Sequence, residues 1–143
     1  MTIELKSPKA KVPKVKAGKK TKIGIKKTSS RGKLNNLIHD EMRRIAIKRH
    51  PYCVCCGMSE TVLQGGHLIP KKSSTATRYD LMNVFTQCRD CNYKHQYNPH
   101  IYIDWFIKEY GLEEYQDLVK KSRVVKPIKI TELRTILEEY KKL

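Results

Sequence analysis

The sequence predicts an α+β protein: a β-β-α unit framed by cysteines, an amphipathic helix before it, a helical region after it and a basic arm in front. Three observations carry this prediction. Two Cys-x-x-Cys pairs, Cys53/Cys56 and Cys88/Cys91, enclose two short segments of strand-like composition. Apolar residues on both sides of that frame recur at three- and four-residue intervals, the period of a helix with one buried face. The first 33 residues show no such period and consist mostly of Lys, Pro, Gly, Ser and Thr. At 143 residues the chain has the size of one domain. It divides into a disordered basic arm (1–33), a core (34–111) and a helical extension (112–143).

The arm comes first. Residues 1–36 hold eleven Lys and Arg31 against the single acid Glu4, a charge of +11. The remaining 107 residues add only +5 to reach the net +16. Such a stretch cannot offset its own ordering entropy. Its charge calls for a polyanionic partner, nucleic acid or an anionic membrane surface, and says nothing about fold. No apolar run approaches the roughly 18 residues needed to span a bilayer, and the N-terminus lacks the apolar stretch of a secretory signal. The protein is therefore expected in a cytoplasm, where five cysteines are metal ligands or free thiols rather than disulfides.

Leu34, Leu37, Ile38, Met42 and Ile45 form the apolar stripe of a helix that should end near His50, with Pro51 as its stop. Strands are expected over residues 61–69 and 83–87, joined by a polar loop over 71–80. A short helix should follow Cys88 through about Tyr97. Asn98 and Pro99 read as the cap and first turn of the next helix, with Ile101, Trp105 and Phe106 as its stripe and Gly111 as its end. Leu112, Tyr115, Leu118 and Val119 mark another helix. Leu133, Ile136, Leu137 and Tyr140 mark a last one behind a Thr131 cap.

The cysteine frame is the strongest chemical signal. Each Cys-x-x-Cys pair presents two thiolates to one ion, so Cys53, Cys56, Cys88 and Cys91 suit tetrahedral zinc, leaving Cys55 as a spare thiol. A redox reading explains one pair and leaves the other unused. Zinc in such a site contributes about 10–16 kcal/mol to folding, which compensates for a small core. The 31 residues between Cys56 and Cys88 exceed a simple two-pair zinc module and leave room for a strand, a loop and a second strand.

That insert carries Gly66-His67-Leu68-Ile69-Pro70, Ala76-Thr77-Arg78-Tyr79-Asp80 and Asn83-Val84, and the second pair is followed by Asn92 and, further on, Asn98. With the four cysteines, these residues resemble the HNH (His-Me finger) endonucleases of the four-cysteine zinc type, closest to the phage NinG/Rap-like recombination endonucleases. The resemblance covers residues 50–111. It implies a ββα-metal core and cleavage of DNA phosphodiester bonds, leaving 5′-phosphate and 3′-hydroxyl ends. It further implies His67 as general base, Asn83 as brace of the loop between the strands, and Asn92 as ligand of a catalytic Mg²⁺ or Mn²⁺. His95, three residues on, is a candidate supplementary ligand. Many members place Asp before the histidine as a second metal ligand; here that position is Gly66. An imidazole that titrates near neutrality suits proton abstraction from water, and oxygen ligands suit Mg²⁺.

Lys71, Lys72, Arg78, Arg89 and Lys94 lie in or near these motifs and are the expected DNA-backbone contacts, with Ser73, Ser74, Thr75 and Thr77 as possible phosphate donors. The arm and the first helix should add affinity without reading bases. His39, His50 and His100 have no motif around them and are assigned to surface or packing. The branch of the family implies branched DNA as substrate and, since paired cuts resolve a junction, a homodimer. Two rivals remain: an HNH enzyme for homing, restriction or packaging-associated nicking, and a non-catalytic zinc module that only binds nucleic acid.

Overall fold

The structure, a computed structural model, describes residues 30–143. The expected arm lies outside them except for residues 30–33, which are helical. Helix α1 runs Ser30–Arg49, starting four residues before the apolar stripe. A tertiary tie accounts for the extension: the Arg31 guanidinium donates to the Ile128 carbonyl at 2.8 Å.

Strands β1 (Leu63–His67) and β2 (Val84–Cys88) pair antiparallel, with Leu63 opposite Cys88 and His67 opposite Val84. Both are shorter than or shifted from the expected segments. A 3-10 turn, Leu81–Asn83, enters β2 and is capped by Asp80, whose Oδ1 accepts from the Met82 amide at 2.9 Å. Helices α2 (Arg89–Lys94), α3 (His100–Tyr110), α4 (Leu112–Ser122) and α5 (Ile130–Lys142) follow.

Every residue of β2 is buried, because the hairpin lies between two apolar clusters. Successive strand side chains point to opposite faces. Val84 accordingly joins Ile38, Met42, Tyr79, Leu133 and Leu137 under α1 and α5. Phe85 joins Val54, Leu68, Tyr102, Phe106 and Leu118 under α3 and α4. The hairpin is thus held from both sides, and so is the loop that joins its strands.

The C-terminal helices form where the apolar period places them, but some details differ. Ile101 and Leu112 are half exposed, at 52% and 54%, and Tyr102 is the buried residue at the start of α3. A polar contact turns that helix: the Tyr102 hydroxyl donates to the Gly66 carbonyl at 2.8 Å and accepts from the Phe85 amide at 3.0 Å. It thereby bridges β1 and β2. The N-cap of α3 is Pro99, without a side-chain hydrogen bond, and Asn98 is exposed. In α5 the N-cap is Lys129, whose amide donates to Glu132 Oε2 at 2.7 Å, so Thr131 lies within the helix.

Four further cations of α1 are tied to main-chain carbonyls elsewhere in the fold. Arg43 donates to the Leu63 carbonyl at 2.9 Å, and Arg44 to Tyr140 at 3.0 Å. Lys48 donates to the Leu143 carbonyl at 2.9 Å, and Arg49 to Leu81 at 3.0 Å and Val84 at 3.1 Å. Among the described residues no helix is long and apolar enough to cross a membrane.

Candidate functional site

Two knuckles bring four thiols together. After Cys53-Val54-Cys55-Cys56 the chain turns at Gly57, whose φ of 75° favours a residue without Cβ. The turn closes by hydrogen bonds from the Gly57 amide to the Cys53 carbonyl (2.7 Å) and from the Cys53 amide to Met58 (2.8 Å). The second knuckle starts where β2 becomes α2, and the Cys91 amide donates to Cys88 Sγ at 3.4 Å. The Val54 amide donates to Thr86 at 2.9 Å, fastening the first knuckle to β2. The sulfurs of Cys53, Cys56, Cys88 and Cys91 lie within 4.8 Å of one another. Cys56 and Cys88 are 3.8 Å apart, the edge of a tetrahedron with metal–sulfur bonds of about 2.3 Å. This four-cysteine cluster is compatible with a zinc ion.

Burial raises the Cys53 thiol, but backbone hydrogen bonds, first that of Cys88, outweigh it and bring it to about 7. Cys55 stands apart: burial pushes its thiol up to about 11, and it accepts from Gln87 Nε2 at 3.1 Å.

His67 ends β1. Its Nε2 lies 2.9 Å from the Arg78 carbonyl. A carbonyl only accepts, so Nε2 carries the proton and Nδ1 keeps its lone pair. Burial, with Lys71 and Arg78 adding and the Arg78 hydrogen bond opposing, holds the imidazole down at about 4. His67 is therefore neutral at pH 7, with Nδ1 as its proton acceptor. Around it lies an open pocket of about 360 Å³ that also meets Lys71, Lys72, Asn92, His95 and Gln96.

The loop that holds His67 is itself held by three successive carbonyls. Thr77 accepts from Asn83 Nδ2 at 3.0 Å, Arg78 accepts from His67, and Tyr79 accepts from the Tyr140 hydroxyl. Asn83 is fully buried and fully paired. Its Nδ2 also donates to Ile69 at 3.0 Å, and its Oδ1 accepts from the Ile69 amide at 2.7 Å. The Tyr79 hydroxyl donates to Asn35 of α1 at 2.7 Å.

Asn92, on α2, shares the pocket with His67. Its Nδ2 donates to Gln64 Oε1 at 2.8 Å, which leaves Oδ1 for a cation or a donor. Nothing in the spacing of the motifs marks Gln64, although it sits on β1 three residues before His67. His95 lines the same pocket as His67 and Asn92. It is buried, its Nε2 donates to the Leu68 carbonyl at 2.9 Å and its Nδ1 is buried without a partner. It brackets α2 to the strand end.

Gly66 sits against the end of the buried Gln87 side chain, which would have to move to admit a larger residue. A Cβ there would lie 1.8 Å from Gln87 Oε1, so the Gln87 amide occupies the space of any side chain before His67. Of the expected DNA contacts, Lys71 and Lys72 are exposed on the His67 pocket. Arg78 is half-buried, its guanidinium 5.7 Å from the Tyr79 ring. Arg89 is exposed in a neighbouring groove, and Lys94 is exposed beside Cys91 and Asn98. Ser74 and Thr77 are buried and Thr75 donates to Lys126 at 3.0 Å, so Ser73 alone of the loop hydroxyls is open.

His39 is the residue that motif spacing misses. From α1 its ring meets His67 edge-on at 5.4 Å and stacks on Tyr79 at 5.6 Å. Both its nitrogens are buried without partners. Burial first, then Lys71, His67 and Arg78, lower it to about 3.

No curated protein and no solved structure matches the chain at a significant level. The family described as bacteriophage lambda NinG protein matches residues 3–143, nearly the whole sequence, cysteine frame and His67 loop included. The chain belongs to the NinG family of bacteriophage proteins.

Proposed function

We infer that the chain is a metal-dependent DNA endonuclease of the HNH type with a phage recombination role, acting on branched DNA. The observation that carries this reading is the fixed tautomer of His67. Its Nε2 is tied to Arg78, and its Nδ1 is a neutral base in a pocket that also holds Asn92, Lys71 and Lys72.

Hydrolysis of a phosphodiester needs a base for the attacking water and positive charge on the phosphate. His67 Nδ1 takes the water proton. Lys71 and Lys72 attract and hold the backbone, and Asn83 keeps the loop, and so the imidazole, in place.

The pocket lining has no carboxylate, and Asn92 Oδ1 is its free amide oxygen next to Gln64. Mg²⁺ or Mn²⁺ is usually held by one or two carboxylates plus substrate phosphates, so here DNA phosphates and water would have to supply the ligands beyond Asn92 Oδ1. Such an ion supplies Lewis-acid stabilisation of the phosphate and the leaving oxygen. His95, which lines the pocket and keeps Nδ1 without a partner, is the candidate supplementary ligand. Two copies of the chain would make the paired cuts that a junction needs.

The test is nicking of plasmid DNA with Mg²⁺ or Mn²⁺ by the native chain and by His67→Ala. Four-way, forked and linear duplexes of one sequence run beside it. Cleavage by the native chain that His67→Ala loses, strongest on branched DNA, is the expected result. Equal cutting of linear DNA removes the junction role. Equal inactivity of both proteins across substrates they bind leaves a non-catalytic DNA-binding zinc module.

A further inference from the structure

Next to the His67 pocket lies a second groove of about 510 Å³, lined by Gln64, Arg89, Asp90, Asn92, Tyr93 and Gln96. Asn92 borders both. Tyr93 and, just past the end of α2, Tyr97 are 61% and 74% exposed. Their rings touch each other at 5.6 Å and 61°. Most aromatic rings of the chain are at least partly covered by the two cores. These two stand in solvent, beside an exposed arginine and the candidate site.

We propose that Tyr93, buttressed edge-on by Tyr97, is a stacking platform for one unpaired nucleobase, whose backbone runs from Arg89 past Asn92 into the His67 pocket. The proposal rests on reading that pocket as the DNA-cleaving site, and it names what the substrate must offer there. A base inside a duplex has both faces covered by its neighbours, so an aromatic platform gains nothing from it. An unpaired base exposes a face, and stacking on an aromatic side chain contributes about 1–3 kcal/mol.

The rest of the groove suits a nucleotide. Arg89 is placed for a phosphate. Gln64, its Oε1 engaged by Asn92, keeps its Nε2 as a donor, and Gln96 offers an exposed amide. Either amide can meet a base edge. Asp90 is the one acid on the wall, and it can accept from an exocyclic amine. Since Asn92 and Gln96 are common to both openings, the stacked base belongs to the same stretch of strand as the phosphate at His67. The preference is then for an unpaired nucleotide near the cut, whatever the shape of the branch.

The experiment uses the full zinc-loaded chain with His67→Ala, so that DNA survives, and a duplex carrying 2-aminopurine as a single-nucleotide bulge. A fully paired 2-aminopurine duplex and a bulge with an abasic residue are the controls. Stacking quenches the fluorescence of the bulged base. Tyr93→Ala should abolish the quench and weaken binding of the bulge about 5- to 150-fold, the stacking range above. Binding of the paired duplex should stay unchanged. Tyr97→Ala should act likewise but less, and Tyr93→Phe should restore both readings. Unaltered zinc content and circular dichroism of the variants separate this from misfolding. An abasic bulge bound as tightly as the base, or a quench indifferent to Tyr93→Ala, overturns the platform. Because the reading is binding, it stands or falls separately from cleavage. A chain that stacks the base without cutting any DNA defeats the nuclease, and one that cuts without stacking defeats the platform.

Discussion

The ring of His39 meets the ring of His67 edge-on, with centroids 5.4 Å apart and planes at 86°. His39 in turn stacks on Tyr79, the residue after the one whose carbonyl fixes the His67 tautomer. One helix therefore sets the back wall of the imidazole. Buried nitrogens without partners are costly, and here they keep a second imidazole neutral against the first.

Removing that wall should release His67. In His39→Ala, water reaches the back of the imidazole and its pKa should rise from about 4 towards 6.5, by about 1–2 units as burial is relieved. In His39→Phe the packing stays and the pKa should stay low. NMR titration of the His67 ring in the two variants checks this. An unchanged pKa in His39→Ala would show that α1 does not shield it.

Stability should fall in mild acid. His67 and His39 resist protonation in the folded chain down to about 4 and about 3, whereas in the unfolded chain both take protons near 6.5. The unfolded state binds more protons in that window, so stability is full above about 7 and declines as pH falls through 6.5 towards those values. Between pH 7.5 and pH 5, His67 alone accounts for about 2 kcal/mol. Urea midpoints at the two pH values, with zinc in excess, should show this loss, and His67→Gln should show a smaller one.

Asn83→Ala should cost more than an ordinary polar truncation. It leaves the Ile69 amide and the Ile69 and Thr77 carbonyls without their side-chain partner, in a site with no exposure. Three hydrogen bonds at about 1 kcal/mol each, plus the penalty for buried unpaired groups, put the loss at about 3–5 kcal/mol. Asn83→Asp should not rescue it, since a carboxylate cannot donate to two carbonyls. Denaturant unfolding measures both.

The five cysteines should separate into four and one. Cys53→Ser or Cys88→Ser should lose bound zinc and unfold the hairpin, and a strong chelator should do the same to the native chain. Cys55→Ser should keep one zinc per chain and unfold close to the native midpoint, since a hydroxyl can accept from the Gln87 amide as the thiol does at 3.1 Å. Metal analysis and circular dichroism report each.

What could be read from the sequence was whatever local chemistry determines. The four ligand cysteines are legible because paired thiols at i and i+3 are what a knuckle presents to a metal. Asn83 and His67 are legible as ends of strand-like segments. His39 is not: its neighbours His67 and Tyr79 are 28 and 40 residues away in sequence, and only the packing of α1 on the loop brings them together. Gln64 is silent for a similar reason, since its contact with Asn92 depends on how α2 folds over β1. Cap positions at Asn98 and Thr131 shift by one or two residues, because backbone conformation at Pro99 and a glutamate at position 132 decide where each helix begins. The stripe of α3 is rotated by the Tyr102 hydroxyl, a polar contact that an apolar period does not encode.

The tie between the Tyr140 hydroxyl and the Tyr79 carbonyl has a consequence for the order in which the molecule comes into being. Leu133 and Leu137 of α5 pack on Ile38 and Met42 of α1, so a helix translated about 90 residues later closes the cluster begun by the first. While α5 is still inside the ribosome, the loop that carries the Arg78 carbonyl lacks its far anchor and the nascent chain cannot hold His67 in its final setting. A chain stalled or cleaved before residue 130 would keep the cysteines of both knuckles and lose the brace behind its histidine. Synthesis itself delays assembly of the site until α5 has emerged.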